Sequence, residues 1–212
     1  MNIFDEPEIV SNYDAYYDTD KGKMVDEIEK GIIAEYLFSL KEKELLELGC
    51  GTGHWTAFFE EKGFDVIGID ISCEMMEKAA SKGLKAKFHV GDAERLPFFD
   101  DSIENVASIT MLEFVKNQEV VIQEIHRVLK PGGYAIFGLL GDKSPIAKNA
   151  ANDVIFKQAR FLNSENLDEI FKPFQILQKR TGVMYDNEFN VTDYACSLDK
   201  IEPAFIALLL KK

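Results

Sequence analysis

Residues 44–53 read Glu44-Leu45-Leu46-Glu47-Leu48-Gly49-Cys50-Gly51-Thr52-Gly53. A short apolar run, Leu45 to Leu48, stops abruptly in glycines, the pattern of a buried strand entering a tight turn. The next stretch, HWTAFFEEKG, reads as a helix closed by Gly63. Glycines between a strand and a helix let the backbone turn sharply and let a ligand approach closely. The helix N-terminus then points its free N–H groups at that ligand. The spacing here is G-x-G-x-G, because His54 stands where the dinucleotide fingerprint G-x-G-x-x-G has its last glycine. That moves the expectation from a pyrophosphate towards a ligand without one.

Strand and helix alternate outward from this turn. FDVIGIDIS contains a second buried strand from Val66 to Ile69, and SCEMMEKAASKG a helix with Ser72 as N-cap and Gly83 as stop. KAKFHVGDA reads as a third strand alternating at Ala86, Phe88 and Val90, and IENVASITML as a fourth. QEVVIQEIHRVLK is a helix with Val120, Val121, Ile125, Val128 and Leu129 on one side, broken by Pro131-Gly132-Gly133 before a fifth strand, YAIFGLL. Upstream, GKMVDEIEKGIIAEYLFSL carries Met24, Val25, Ile28, Ile32, Ile33, Tyr36, Leu37 and Leu40 at helical spacing. Such alternation argues for a parallel sheet with helices on both faces, an α/β three-layer sandwich. Residues 142–173 look helical and mixed, with SENLDEIF amphipathic. FQILQKRTGVMY and PAFIALLLKK are strand-like and too closely linked for a crossover helix, so an antiparallel addition at one sheet edge is expected. Phe205 to Leu210 reads as an internal strand rather than an interface.

Two acids stand at the ends of consecutive strands, where open α/β sheets place ligands. Asp70 ends the second strand, and a carboxylate there can accept hydrogen bonds from both ribose hydroxyls. Asp92, in Gly91-Asp92-Ala93, ends the third and can face an adenine amino group. With the glycine turn they make one constellation.

LLELGCGTGHW, GIDIS, VGDAERLPFFDDSIENV and EIHRVLKPGGYAIFG resemble, in order and spacing, the successive motifs of class I S-adenosylmethionine-dependent methyltransferases. The similarity covers about residues 44–138 and points to the small branch that includes the ubiquinone/menaquinone-type enzymes. It implies a Rossmann-like, seven-stranded, mostly parallel sheet with the last two strands antiparallel, and S-adenosylmethionine as cofactor. It implies that Gly49, Gly51 and Gly53, with Cys50, border the methionine part of the cofactor and that Glu47 braces the loop or meets its amino group. Asp70 then holds the ribose, Asp92 and Ala93 face the adenine, and Ile71 packs on the ring. YDAYYDTDKG resembles the YDxWYDTxxG opening of some of these enzymes, with Tyr16 in the usual Trp place. That implies a lid over the cofactor to which Tyr13 belongs. Ile103-Glu104-Asn105-Val106 departs from the family's F-D-x-V only by lengthening the acid.

The resemblance implies in-line methyl transfer, for which a general base is optional. Thr110, grouped with Tyr13 among the cofactor-side residues, is together with Tyr13 and Glu113 a candidate for the acceptor side. Strand-end capping for Thr110 and a helix-start charge for Glu113 are the favoured readings of those two. His54 reads as a first-turn helix residue. ITMLEFV after the fourth strand lacks the N-P-P-[YF] motif, which argues against adenine-N6 or glutamine methylation. Alternatives that stay open are a non-catalytic cofactor-binding regulator, a protein methyltransferase and, against the glycine spacing and without a Tyr-x-x-x-Lys pair, a nicotinamide-dependent oxidoreductase.

The 212 residues are 46% hydrophobic and 29% charged, which suits one globular domain. Its segments are a lid and helix (1–43), a cofactor-binding core (44–141), a helical acceptor cover (142–173) and antiparallel edge strands (174–212). The net charge of −13 disfavours nucleic acid and anionic lipid as partners. A small-molecule acceptor is expected, and Lys143, Lys148, Lys157 and Arg160 hint weakly at an anionic one, although a solvated helix face explains them better. Cys50, Cys73 and Cys196 form no C-x-x-C pair and read as reduced thiols of a cytoplasmic protein, and His54, His89 and His126 are too scattered for a metal site. MNIFDEPEIV lacks a basic region followed by an apolar run, so no signal peptide is expected, and the longest late apolar stretch, PAFIALLLKK, is far short of a membrane span. Oligomeric state is not legible.

Overall fold

A computed structural model describes residues 2–185, 191–192 and 202–212; Cys196 lies outside the described residues. Five strands alternate with helices, as the pattern requires. They are β1 (Glu44–Leu48), β2 (Asp65–Asp70), β3 (Lys87–Val90), β4 (Ile103–Ile109) and β5 (Leu129–Leu140). Short helices α1 (Pro7–Asn12) and α2 (Ala15–Asp18) precede the long α3 (Asp20–Leu37). Helices α4 (His54–Glu61), α5 (Cys73–Ser81) and α6 (Gln118–Val128) connect the strands. After β5 come α7 (Pro145–Asn149), α8 (Leu167–Ile170), β6 (Gln175–Gly182), a two-residue ladder of β7 (Met184–Tyr185) with β8 (Val191–Thr192), and β9 (Phe205–Lys211).

The main sheet has seven strands in the order β3-β2-β1-β4-β5-β9-β6. Strands β1 to β5 are mutually parallel, and β9 pairs antiparallel with both β5 and β6. The expected mixed sheet is therefore present, with the final strand inserted between β5 and β6. Residues 205–210 are buried throughout, because both faces of β9 are covered. Ile206, Leu208 and Leu210 join the cluster under α6 and residues 162–174, whereas Phe205, Ala207 and Leu209 join the one under α3 and α4. The period of two delivers successive side chains to opposite layers.

Four local expectations change. Met24 and Val120 sit at apolar spacing, yet they are 50% and 38% exposed, because Val25 and Val121 beside them take the buried face. Helix α6 ends at Val128 and Leu129 is already extended. Lys130 precedes Pro131, which disfavours a helical Lys130. Strand β3 is an edge strand with Lys87, His89 and Val90 exposed, so its alternation does not mark a buried face. Residues 142–173 form only short helical pieces. The clear amphipathic segment is a single turn, Leu167–Ile170, that drops Leu167 and the following Phe171 into the core.

Phe137 of β5 is fully buried and packs on Phe171 at 4.8 Å between ring centroids. Phe137→Ala is expected to lower unfolding free energy by roughly 3–5 kcal/mol through lost transfer energy plus a residual cavity. Chemical denaturation followed by circular dichroism checks this; a loss well under 1 kcal/mol would contradict the packing described.

Candidate functional site

The glycine turn after β1 is held from two sides. Gly49 N–H donates to Ile69 O (2.7 Å) and Gly51 N–H donates to Asp70 Oδ2 (2.8 Å). The other Asp70 oxygen, Oδ1, accepts the Ser72 N–H at 2.9 Å. Asp70 thus ties the turn after β1 to the start of α5. Two oxygens offer about four acceptor sites, so the carboxylate retains capacity for a ligand. Burial raises its pKa, against the backbone N–H groups of Ser72, Gly51 and Ile71, which lower it. Gly49 and Gly51 have φ of 73° and 51°, conformations that glycine adopts without strain. A Cβ on Gly49 would stand 2.2 Å from Met111 Cγ, whereas no protein atom lies within 4 Å of a Cβ placed on Gly51.

Gly49, Gly51, Asp70, Ile71, Asp92, Ala93, Thr110 and Tyr13 line one cavity of about 430 Å³ at the carboxyl ends of the strands. Eight of the expected residues therefore meet at one place. Ile71 presents an apolar side chain that is 52% exposed. Asp92 is exposed at the rim, its Oδ1 accepting the Glu94 N–H (2.9 Å). Thr110, just past β4, has φ 48°, costly for a β-branched residue and kept by its N–H donating to Gly138 O at 2.7 Å.

Three expected residues lie elsewhere. Gly53 is the left-handed N-cap of α4, its Cβ position 2.9 Å from Leu84 Cδ1. Cys50 is buried with Sγ 3.4 Å from Met76 Sδ, and burial, with Glu47 and Asp70 nearby, pushes its thiol pKa far up. Glu47 is buried behind the loop, where Thr56 Oγ1 donates to its Oε2 at 2.6 Å. That hydrogen bond links the end of β1 to α4.

A second cavity, of about 670 Å³, shares Phe4, Tyr13, Thr110 and Phe114 with the first. These four residues form a common wall. Tyr13 and Thr110 therefore face both compartments, whereas Glu113 lines neither. Glu113 is fully buried; its Oε1 accepts the Leu140 N–H at 2.7 Å, and its Oε2 has no partner. None of Lys143, Lys148, Lys157 and Arg160 lines the second cavity, and Arg160 lines the first.

The N-terminal segment roofs both compartments through polar ties. Ser72 Oγ donates to Phe4 O (2.8 Å), Lys78 Nζ to Val10 O (2.8 Å), and Thr52 Oγ1 to Asp14 Oδ1 (2.5 Å). Asp14 also pairs with Lys82 at 2.9 Å and Lys78 at 3.2 Å. Burial alone would raise the Asp14 pKa, but Thr52, Lys82 and Lys78 together hold it below its ordinary value. Tyr17 stacks on His54 at 3.5 Å, and His54 Nε2 meets Asp26 Oδ1 at 2.7 Å. His54 therefore packs under the N-terminal segment. Thr19 caps α3 by accepting the Gly22 N–H at 2.9 Å, the local role of Thr and Gly in the YDAYYDTDKG opening.

Comparison with known proteins now bears on this geometry. Residues 46–137 match the family model described as a methyltransferase domain. An uncharacterized protein of Methanocaldococcus jannaschii is 32% identical over 81% of this chain and 80% of its own. A solved structure of a "SAM-dependent methyltransferase, possible histamine N-methyltransferase" from Thermotoga maritima superposes with TM-score 0.73 at 25% identity, over 99% of this chain and 98% of that one. The chain belongs to the S-adenosylmethionine-dependent methyltransferases. A malonyl-[acyl-carrier protein] O-methyltransferase of Hamiltonella defensa is 31% identical over 64% of this chain; the chain spans only about half, 54%, of that relative's length. Membership of the family implies S-adenosylmethionine binding. The first cavity fits that group: a strand-end carboxylate, apolar Ile69, Ile71, Ala93 and Met111, and an open Gly51 together suit a ribose, a planar base and an amino-acid tail. Among the described residues no helix is long and apolar enough to cross a membrane, and no group of three or more His, Cys, Asp or Glu could hold a metal ion.

Glu47 and Glu113 contribute a pH signature to the stability of this protein. Burial pushes Glu47 from its ordinary 4.5 up to about 8, against the Thr56 hydroxyl and with Asp70 and Glu60 adding; it pushes Glu113 up to about 7. Folded-state values above the unfolded ones mean that the native protein holds extra protons between the two, so this stability is full below about pH 4.5 and is lost as pH rises through 7 to 8. The thermal midpoint should fall from about pH 5 to about pH 8. Glu113→Gln, which mimics the protonated acid, should flatten the profile; parallel wild-type and variant curves would refute it.

Proposed function

We propose that the protein transfers the methyl group of S-adenosylmethionine to a small acceptor held in the second cavity, across the wall of Phe4, Tyr13, Thr110 and Phe114. The observation that carries this reading is the pair of cavities sharing one wall. One compartment has the chemistry for the cofactor, and the other, largely apolar and aromatic, adjoins it. Bound S-adenosylmethionine supplies a sulfonium-activated methyl group.

The chain's own residues would do the rest. Asp70 is proposed to accept the ribose hydroxyls while it keeps the Gly51 and Ser72 amides in place. Gly49 and Gly51 would admit the methionine portion, Ile71 and Ala93 would flank the base, and Asp92 would accept from its amino group. Tyr13 and Thr110 would line the passage between donor and acceptor. The segment up to α2 would exclude water and hold the acceptor in line with the methyl group, and alignment of that kind supplies much of the acceleration in a displacement.

One relative is named as a malonyl-[acyl-carrier protein] O-methyltransferase, and a malonyl group with a free carboxyl is anionic. An acceptor of that charge suits this chain poorly, because the second cavity is lined by Glu8, Glu29 and Asp153 against Lys21. The reading favoured here is a free small molecule.

Calorimetric titration with S-adenosylmethionine, S-adenosylhomocysteine and NAD tests the cofactor. The first two should bind and the third should not; the reverse would move the protein to another reaction class. Asp70→Ala removes both the ribose acceptor and the brace on Gly51, and is expected to weaken binding by ~1–3 kcal/mol. Unchanged affinity in a folded variant would refute the placement of the ribose. Deleting residues 1–18 should lower turnover or cofactor affinity while the far-ultraviolet dichroism of the sheet persists, and full activity of the truncated chain would remove the lid from the mechanism.

A further inference from the structure

The second cavity contains a carboxyl group, that of Glu29, for which the described residues supply no binding partner. Lys21, Val25 and Glu29 follow one another at four-residue steps along α3 and turn one helix face into the cavity wall. Tyr13, Tyr16 and Tyr17 of the N-terminal segment and Tyr185 of β7 line the same space. Among the described residues the Glu29 carboxyl has no hydrogen-bond or ion-pair partner. Its neighbours on the helix are committed elsewhere: Asp26 holds Lys30 at 2.8 Å and His54 at 2.7 Å, and Lys21 lies 4.7 Å from the Tyr185 ring centroid.

A carboxyl among aromatic rings is costly to ionise unless a cation meets it. Burial, with Asp26 adding and Lys30 opposing, accordingly pushes Glu29 up to about 8. A protonated amine answers every feature of the site. Its N–H groups supply charge-assisted hydrogen bonds, and ring faces favour a cation beside them. A carboxylate or phosphate would meet Glu8, Glu29 and Asp153 as like charges. Tyr13 lies on the wall shared with the cofactor compartment, and its hydroxyl, raised to about 12 chiefly by burial, also feels both Asp70 and Glu29. Glu29 and Tyr13 therefore line one cavity, and Tyr13 belongs to the wall where the two compartments meet.

We propose that the acceptor is a small protonated primary or secondary amine, and that Glu29 binds its ammonium group and takes the proton that blocks the nitrogen lone pair. The proposal rests on the methyltransferase reading above and names the substrate class of that same site. One ammonium N–H bond breaks and its proton goes to the Glu29 carboxylate, leaving a neutral amine. The amine nitrogen then forms its bond to the methyl carbon as the sulfur–carbon bond breaks. The electron pair of that bond stays on sulfur, and the positive charge passes to nitrogen. The other ionisable groups around Glu29 are Asp26, Lys30 and Lys21 on its own helix, Glu8, Tyr13, Tyr16 and Tyr17 from the N-terminal segment, Asp153 from the segment after β5, and Tyr185 from β7.

The test uses the full chain saturated with S-adenosylhomocysteine, whose own binding is measured first. It is titrated near pH 7 with 2-phenylethylamine and tryptamine and with the size-matched acids 3-phenylpropanoate and indole-3-propanoate, in buffers of different ionisation enthalpy. At least one amine should bind, and neither acid should. Amine binding should release up to about one proton, because the ammonium drives Glu29 to ionise. Glu29→Gln should bind S-adenosylhomocysteine as the wild type does, lose the proton release, and weaken amine binding by about 10–100-fold. Glu29→Asp should restore part of it. Exclusion of both amines, or amine binding with the same proton count in Glu29→Gln, overturns the proposal while leaving the cofactor reading intact. Failure of the wild type to bind S-adenosylhomocysteine overturns the cofactor reading and this proposal with it.

Discussion

The carboxylate of Asp70 holds two backbone amides from separate turns at once. One belongs to Gly51 in the turn after β1 and the other to Ser72 at the head of α5. The parallel register makes this possible. Leu48 of β1 stands beside Ile69 of β2, so both strands end at one level and Gly49 N–H can reach Ile69 O. The sheet brings the strand ends together, and Asp70 joins the turns that leave them. The first cavity is the space framed by those turns, and its shape depends on that junction.

Around this junction the protein builds outward in two directions. Below the loop, Glu47 and Thr56 fix the turn to α4. Above it, the N-terminal segment is held by main-chain carbonyl contacts from Ser72 and Lys78 and by the Asp14 cluster. The Tyr17–His54 stack completes the attachment. These ties reach α4 and α5, the helices that follow the glycine turn and Asp70. The glycine turn, the N-terminal segment and the second cavity therefore share a common support, and a disturbance at Asp70 or Asp14 should reach all three.

Much of the site was legible because it depends on short-range backbone rules. Gly49, Gly51, Asp70, Ile71, Asp92, Ala93 and Thr110 lie at strand ends, and strand ends can be read from where apolar runs stop. Gly53, Cys50 and Glu47 sit in the same motif but turn away from the cavity. Direction within a three-glycine loop is set by φ angles and by neighbours such as Leu84 and Met76, which are distant in sequence. Glu29 was missed for a related reason. In α3 it occupies an ordinary polar position between Ile28 and Lys30, and the tyrosines that share its cavity come from residues 13–17 and 185. Spacing of Lys21, Val25 and Glu29 was a faint signal, visible only once the facing wall is known.

Local chemistry in the chain determined the alternation of strands and helices, the parallel sheet, the glycine turn and the two strand-end acids. These follow from periodicity, from glycine's freedom at positive φ and from the directionality of parallel strands. Tertiary structure alone decided that β9 inserts between β5 and β6, that residues 142–173 remain short turns of helix, and that a carboxyl on α3 faces four tyrosines. Such outcomes depend on which surfaces are left to bury after the sheet has formed. That competition is settled between segments far apart in sequence, where no local pattern carries the information.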